Sequence, residues 1–297
     1  MTGAEKGFLL LGSHLSNPDR HPLSAFQLRT LADRVSSAKR LHSERELGED
    51  DLIAIGYGRP MAQRILSLLE EEEVLEFYLK RGEKAHCVPV TRISEGYPHR
   101  LRRLLGTDSP GCLWAKGDLT LLTAPKVALV GSRDLGPENR AFAEEVGRQA
   151  ARQGYVLVSG NARGADQTAQ NACLRAGGQV ISVVADELAN RHSREGVLYL
   201  SEEDFDAPFS AQRALSRNRV IHTLAERTFV AQCSLGTGGT WDGSVKNLRH
   251  GWSDVFCFRD GSEASVQLAQ MGAVLIEPEY LGEFRALETN PLSFFDK

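Results

Sequence analysis

Three short stretches of the chain combine glycines and small polar residues with arginines in a way that suits an anion. Glycine lets a backbone N–H approach a ligand closely, and the planar guanidinium of arginine matches the oxygens of a phosphate. A fourth stretch, SRNRVI, adds two more arginines. The candidate phosphate-binding residues in these stretches are Gly131, Ser132, Arg133, Ser159, Gly160, Arg163, Gly164, Arg217, Asn218, Arg219, Thr237, Gly238, Gly239 and Thr240.

Each stretch taken alone has a simpler explanation. Glycine after a strand is common turn chemistry, and an arginine near a helix start often pairs with a carboxylate. We expect Asp166 to cap the following helix and not to contact a ligand. The prediction of a phosphate site therefore depends on the stretches meeting at one edge of the fold.

The sequence does not contain the patterns of common nucleotide-dependent or hydrolytic enzymes. The dinucleotide-binding fingerprint requires GxGxxG after the first strand and an acidic residue at the end of the second strand. In this chain the first turn, GSRDLG, is one glycine short, and the second strand ends in Ser159. Neither a P-loop nor a GxSxG elbow is present. The five cysteines and eight histidines show no metal-ligand spacing. We expect no catalytic residue, no metal, no cofactor and no enzymatic activity.

Alternating strands and helices are predicted to position the candidate residues. Uninterrupted apolar runs between helical patterns are typical of a parallel sheet covered on both faces, and ligands bind such sheets at the carboxyl ends of the strands. The predicted fold is α/β, a Rossmann-like doubly wound and mostly parallel sheet with a small helical N-terminal domain. Predicted strands are 126–131, 155–160, 179–185, 196–202, 227–233, 254–258 and 273–278, and predicted helices are 137–154, 165–178, 210–226, 238–251 and 262–272.

The first third of the chain predicts a separate helical domain. Apolar residues at helical spacing predict helices over 22–40 and 60–81, each beginning at a proline. The stretch DLIAIGYGRP between them is either a helix-hairpin-helix that grips a phosphate backbone or a connector in a small bundle, and the connector is the commoner of the two. Residues 84–122 predict short strands and turns. The predicted domains are 1–83 (helical, SAM-like or helix-hairpin-helix-like), 84–280 (Rossmann-like, DNA-binding) and a tail, 281–297.

Charge and composition limit the classes of partner. The chain has 297 residues and a net charge of −4, so no overall attraction draws it to a polyanion. Residues 126–220 contain twelve Lys/Arg and twelve Asp/Glu, so a positive site requires a local arrangement. Scattered cysteines without a CxxC pair suit a reducing compartment, and no apolar run approaches the ~20 residues of a membrane span. We expect a cytoplasmic protein without membrane contact.

The order of these motifs resembles the DNA-processing protein A family (DprA/Smf). The resemblance extends over roughly residues 85–277. Gln170 departs from the family pattern, which has histidine there, and a winged-helix domain at the carboxyl end of many relatives has no counterpart, so the expectation is a divergent member. The shared segments are VGSR at 130–133, SGNARGAD at 159–166, LSE at 200–202, RNRVI at 217–221, GTGGT at 236–240 and RDGSEASVQLAQMGAVLI at 259–276.

This resemblance implies a function in DNA recombination. It implies binding of single-stranded DNA, loading of the RecA recombinase and protection of DNA during natural transformation, and assembly into a homodimer. Bases are expected to stack on a nearby ring, for which Trp241, Phe209 and Tyr199 are candidates, although core packing is the commoner role. Two alternatives stay open. GTGGT resembles the LOG-like branch of the superfamily, which predicts a nucleotide sensor or nucleotide-processing enzyme, and a scaffold with a vestigial pocket is the other.

Overall fold

The computed structural model describes residues 1–38 and 47–288. Within these ranges nine strands form one sheet, in the order β1-β2-β6-β5-β4-β3-β7-β8-β9. Strands β3 to β9 are parallel, and β1 and β2 add an antiparallel edge. The predicted α/β fold with a mostly parallel sheet is confirmed. The strands are β1 (Val88–Thr91), β2 (Cys112–Lys116), β3 (Lys126–Val130), β4 (Val156–Ser159), β5 (Val180–Val183), β6 (Val197–Ser201), β7 (Arg227–Val230), β8 (Asp254–Phe258) and β9 (Val274–Ile276).

Helices cover both faces of this sheet. On one face, α7 and α8 bury Val127 and Leu129 of β3. On the other face, α6 and α10 bury Ala128 and Val130 of the same strand. Because side chains alternate along a strand, coverage of both faces requires an uninterrupted apolar sequence. The helices are α1 (Gly3–Gly12), α2 (Ala25–Ser37), α3 (Glu49–Ala54), α4 (Arg59–Leu69), α5 (Glu72–Lys84), α6 (His99–Leu105), α7 (Pro137–Arg152), α8 (Ala165–Arg175), α9 (Ala211–Ser216), α10 (Asn218–Leu224), α11 (Gly238–His250) and α12 (Glu263–Gln270).

The direction of strand addition reverses at β3. From β3 the chain adds β4, β5 and β6 on one side, and it then returns to add β7, β8 and β9 on the other. The carboxyl ends of β4, β3 and β7 are therefore neighbours at the reversal. This is the position at which open parallel sheets bind ligands, and the predicted glycine-rich and arginine-containing turns follow these three strands.

The predicted helix 60–81 is divided into α4 and α5. The two parts pack into different cores. Ile65 of α4 packs in a cluster with Leu31 and Leu52, whereas Tyr78 of α5 packs against Trp114 of β2. One straight helix cannot direct its apolar residues into both clusters, so the prediction of a single helix was wrong.

The predicted helix 210–226 is also divided, into α9 and α10. The interruption is at Arg217, which keeps right-handed helical angles (φ −64°, ψ −16°). The carbonyl oxygen of Arg217 accepts from the backbone N–H groups of both Val220 and Ile221. The interruption is therefore a change of hydrogen-bond pattern, and it occurs at the residue whose side chain is buried in the site described below.

Two of the N-terminal helices, α1 and α5, share a core with the edge of the sheet. Helix α2 lies within the predicted 22–40, whose last two residues are outside the described part of the chain, while α1 and α3 were not predicted. Leu9 of α1 and Tyr78 of α5 pack with Trp114 and with Phe205, which follows β6. The division at residue 83 stays a prediction, since this cluster crosses it.

The last described residues pack onto the sheet domain. Phe284, in a short 3-10 helix, is fully buried and contacts the rings of Tyr155 and Phe229. The predicted tail, 281–297, is described only as far as residue 288. No helix in the described ranges combines the length and the apolar composition required to cross a bilayer.

Candidate functional site

A cavity of about 460 Å³, here called the central cleft, lies at the carboxyl ends of β3 and β7. Its walls come from the turns after these strands, from α9 and α10, and from the start of α11. Five of the predicted residues do not line the central cleft: Ser159, Gly160, Arg163, Gly164 and Arg219. Nine do: Gly131, Ser132, Arg133, Arg217, Asn218, Thr237, Gly238, Gly239 and Thr240.

Arg217 lies at the base of the central cleft with unsatisfied hydrogen-bond donors. The residue is 7% exposed, and among the described residues its Nε and Nη1 atoms have no hydrogen-bond partner. Burial lowers the pKa of this guanidinium, and nearby Asp166 partly restores it. Arginine nevertheless stays protonated at physiological pH. Because a buried charge with unsatisfied donors is costly, this position favours an anionic ligand.

Asp166 is the carboxylate whose charge interacts most strongly with Arg217. Its Oδ2 atom accepts from the backbone N–H groups of Gly160 and Ala162, both at 3.1 Å. Burial raises the pKa of Asp166 to about 6, although Arg217 and these two hydrogen bonds oppose the shift. Asp166 was predicted to cap the following helix. It lies in the first turn of α8 but caps the preceding turn, and it also lines the cleft.

Glycines allow the turns around the cleft to pack closely. A Cβ atom at Gly160 would overlap the guanidinium of Arg217, and one at Gly164, whose φ is +87°, would overlap the carbonyl groups of Ser132 and Arg133. A Cβ atom at Gly131 would meet the side chain of Ala165. These glycines therefore act through shape, because any larger residue would separate the turns or displace Arg217.

The amino end of α11 contributes backbone donors to the cleft. Its N-cap, Thr237, makes no side-chain capping bond, and Gly238 has a φ of +85°. The first N–H groups of a helix have no acceptor within the helix and carry a partial positive charge. Asn218 donates to the carbonyl oxygen of Gly239 at 3.0 Å and joins α10 to α11. This helix end and Arg217 both line the same cavity, an arrangement suited to a phosphate.

Two of the predicted residues have structural partners. Ser159 is fully buried, and its hydroxyl accepts from the Gln170 amide at 2.6 Å. The same amide donates to Ser182, so Gln170, at the position where the family has histidine, connects α8 to β4 and β5. Arg219 forms an ion pair with Glu202 at 2.8 Å and donates to the backbone of Ser216.

The other predicted arginine, Arg163, lines a second cavity, here called the arginine groove. This cavity of about 440 Å³ is also lined by Gly164 and Arg133, and Arg133 borders both cavities. Arg163 lies 3.2 Å from Asp134, but both side chains are largely exposed, at 75% and 88%. Exposed ion pairs of this kind contribute little, so Arg163 remains available to an anion.

The three predicted stacking rings lie in different environments. Phe209 is 59% exposed and lines the central cleft. Trp241 and Tyr199 are partly buried and pack against the core clusters. Among these three rings, Phe209 is therefore the one that a base in the cleft can reach.

His222 lines the cleft and was not predicted. Its Nδ1 atom is 3.2 Å from the hydroxyl of Thr228 and from the amide nitrogen of Asn247. Burial lowers the pKa of His222 to about 3, so the ring is neutral at physiological pH. Its position one helical turn after Asn218 is the sequence signal that identifies it, because residues four apart share a helix face.

Comparison with known proteins places the chain among recombination proteins. The sequence model of DNA recombination-mediator protein A matches residues 89–277. Protein Smf of Escherichia coli is 30% identical over 283 residues, covering 82% of this chain and 73% of its own. DNA processing protein DprA of Streptococcus pneumoniae is 31% identical over 207 residues, covering 65% and 72%.

Solved structures agree with this assignment. The X-ray structure of DprA from Streptococcus pneumoniae aligns with a TM-score of 0.63 and 25% identity, over 86% of this chain and 95% of that one. The structure of DNA processing protein A from Helicobacter pylori has the same fold, with a TM-score of 0.53 and 24% identity over 63% and 89% of the two chains. By the extent of the sequence match, the chain belongs to the DNA recombination-mediator protein A family.

Proposed function

We propose that this recombination accessory protein binds single-stranded DNA in the central cleft and does not catalyse a reaction. The observation that carries the proposal is the buried Arg217, whose Nε and Nη1 atoms have no partner among the described residues. A backbone phosphate would satisfy these donors together with the amino end of α11. The Helicobacter pylori protein, which has the same fold, is described as binding single-stranded DNA.

The residues around the cleft have different proposed tasks. Arg217 and the backbone of Thr237–Thr240 bind one phosphate, and Arg133 and Arg163 bind the strand at the edge of the cleft. Phe209 stacks on a base, a contact worth ~1–3 kcal/mol. Ser132 and Asn218 add polar contacts, whereas Ser159 and Arg219 maintain the shape of the surrounding turns through Gln170 and Glu202. Phosphate contacts of this kind position a strand without reading its sequence.

Family membership supports finer proposals about the biological setting. We propose that the protein acts in the cytoplasm as a homodimer, loads the RecA recombinase onto single strands, and protects DNA taken up during natural transformation. The dimer is tested by sedimentation of the purified chain. RecA loading is tested by strand exchange on DNA covered by single-strand-binding protein, where the chain should shorten the lag.

Titration of a labelled oligothymidylate tests DNA binding directly. The logarithm of affinity should fall linearly with the logarithm of salt concentration, with a slope of about −0.7 for each phosphate contacted. Arg217→Ala and Arg133→Ala should weaken binding on every sequence by similar factors. Arg148→Ala, a surface arginine that pairs with Glu144 and Glu145, is the matched control. Wild-type binding by both cleft variants would refute the proposed site.

The nucleotide-sensor alternative is not favoured by the comparisons, whose sequence relatives are Smf and DprA proteins. It makes a distinct prediction, because any ligand that binds only the folded state raises the unfolding temperature. Mononucleotides should then stabilise the chain, and single-stranded DNA should give no comparable shift. The present proposal expects the reverse order of the two shifts.

A further inference from the structure

The arginine groove continues the central cleft on the other side of the GSR turn. Arg133 lines both cavities, and the turn that follows β4 contributes Ala162 to the cleft and Arg163 to the groove. A chain-like ligand that leaves the cleft over these two turns therefore enters the groove. The groove also contains Arg140 of α7, which none of the sequence motifs includes.

The charge in the groove is positive and exposed. Three guanidinium groups, those of Arg133, Arg140 and Arg163, line it together with one carboxylate, that of Asp134. Arg140 donates to the hydroxyl of Thr168 at 3.3 Å, which connects α7 to α8 beside the groove. Neither an aromatic ring nor a second acidic residue lines this cavity in the described part of the chain.

The central cleft suits a base as well as a phosphate, whereas the arginine groove suits phosphates alone. The central cleft has an apolar wall that includes Phe209, Leu215 and Ile221, against which a base can pack. The groove has Leu135 as its one large apolar side chain among the described residues, and otherwise offers charged and polar groups. A ligand there is recognised by its charge, as expected for the phosphates of a nucleic-acid backbone.

We propose that the arginine groove is a second phosphate subsite, which binds the same single strand beyond the central cleft, and that Arg140 is its distinguishing residue. The proposal rests on the proposed function, because it extends the path of the DNA assigned above. Bases in the groove face away from the protein, so this part of the contact is independent of sequence. Asp134 weakens the subsite, because its carboxylate places a negative charge beside the phosphates in the groove.

Oligothymidylate titrations across a range of salt concentrations test this subsite in the full chain. Arg140→Ala should weaken binding about threefold to tenfold and make the salt slope shallower by about 0.7, the contribution of one phosphate on a single strand. Arg140→Lys should keep the slope, because it keeps the charge. Arg148→Ala, on the same helix but outside the groove, should match wild type.

Asp134→Asn provides a test that points in the opposite direction. Removing this carboxylate raises the summed charge of the side chains that line the groove from +2 to +3, so affinity should increase about threefold and the salt slope should steepen. A change that only damaged the fold would not strengthen binding. The unfolding temperature of each variant is measured alongside to identify any loss of structure.

The possible outcomes separate the two proposals. If Arg217→Ala abolishes binding while Arg140→Ala and Asp134→Asn bind as wild type, the cleft is the DNA site and the groove is not part of it. Equal losses in Arg140→Ala and Arg148→Ala would indicate an effect of net charge and would also overturn the groove. If Arg217→Ala and Arg140→Ala both bind normally, both proposals are wrong.

Discussion

The ionisable pair of Arg217 and Asp166 is the unusual feature of the site at the scale of residues. Both side chains are buried, and both line a cavity open to a ligand. An ionised Asp166 competes with a phosphate for Arg217, whereas a protonated Asp166 leaves Arg217 to the ligand. The pKa of Asp166, raised by burial to about 6, lies close to neutrality.

DNA affinity should therefore depend on pH through Asp166. A bound phosphate adds negative charge and raises this pKa further, so binding takes up a proton and strengthens as pH falls from 7.5 to 5.5. If the bound phosphate raises the pKa of Asp166 by one further unit, affinity should increase about tenfold as the pH falls over this range. His222 does not contribute in this range, since burial lowers its pKa to about 3. Asp166→Asn should bind more tightly at pH 7.5 and lose the dependence; anisotropy at constant ionic strength measures both.

Asp166 also makes the free energy of unfolding depend on pH. Because the folded state raises its pKa above the unfolded value, the folded protein binds the proton more tightly, and stability falls as pH rises from about 4 to about 6. An unchanged pH profile of binding in Asp166→Asn would contradict the proposed role of this carboxylate.

Gly160 determines whether Arg217 can occupy its position. A Cβ atom there would overlap the guanidinium, which is itself enclosed. Gly160→Ala should therefore displace Arg217, weaken DNA binding at least as much as Arg217→Ala, and lower stability by about 1–3 kcal/mol, as overpacking does. Gly96→Ala is the matched control, because nothing lies within 4 Å of its added Cβ. Urea unfolding and oligothymidylate titration measure the two effects.

The residue types of the site were predictable, but their individual contacts were not. Arg133 and the start of α11 line one cleft because their turns follow the neighbouring parallel strands β3 and β7, and the alternation of strands and helices indicates that neighbourhood. Arg217 lies at the junction of α9 and α10, and it reaches the same cleft because α10 packs against β3. The ion pair of Arg219 with Glu202 and the place of Arg163 in a separate groove depend on side-chain packing. Residue type and spacing alone carry no information about such contacts.

At the scale of elements, the segment between β6 and α9 connects the N-terminal helices to the cleft. Asp204 accepts from the hydroxyl of Tyr78 and, at 2.9 Å, from the backbone N–H of Ser16. Asp206 accepts from the hydroxyl of Ser16 and pairs with Arg81. This segment then continues to Phe209. Helix α5 and the turn at Ser16 therefore hold the stretch of backbone that precedes the stacking ring.

Tyr78→Phe tests the strength of this connection. Burial and the charge of Asp204 raise the pKa of the Tyr78 hydroxyl far above its usual value, so it donates at all physiological pH values. Its removal leaves the carboxylate with one donor fewer and should cost about 1–3 kcal/mol of unfolding free energy. Tyr280→Phe, at a residue that is 66% exposed, is the control and should be neutral. Equal urea midpoints for the two variants would contradict the connection.

Helix lengths were less predictable than the order of elements. A period of apolar residues detects that a segment is helical, but it does not show that Ile65 and Tyr78 pack into different clusters. The division of 60–81 into α4 and α5 follows because these two residues pack in different clusters. The same limit applies at Arg217, where one predicted helix has two hydrogen-bonded parts.

At the scale of the whole molecule, the family match and the packing indicate different units. The match begins at residue 89. The buried cluster around Trp114, however, includes residues of α1 and α5, two helices that precede residue 89. The Tyr78 ring lies 5.2 Å from the rings of both Trp114 and Phe205. Both of these side chains are almost fully buried when the N-terminal helices are present.

A chain truncated to begin at residue 88 should therefore lose much of its stability. Exposing Trp114 and Phe205 costs about 3–6 kcal/mol, which is comparable to the net stability of about 5–15 kcal/mol of a typical domain. Urea unfolding should show a lower midpoint, or the truncated chain should bind a hydrophobic dye and aggregate. Phe77→Ser in the full chain removes a ring that is 66% exposed on α5 and should leave the midpoint unchanged. An unaltered midpoint after truncation would mean that the sheet domain is stable without the N-terminal helices.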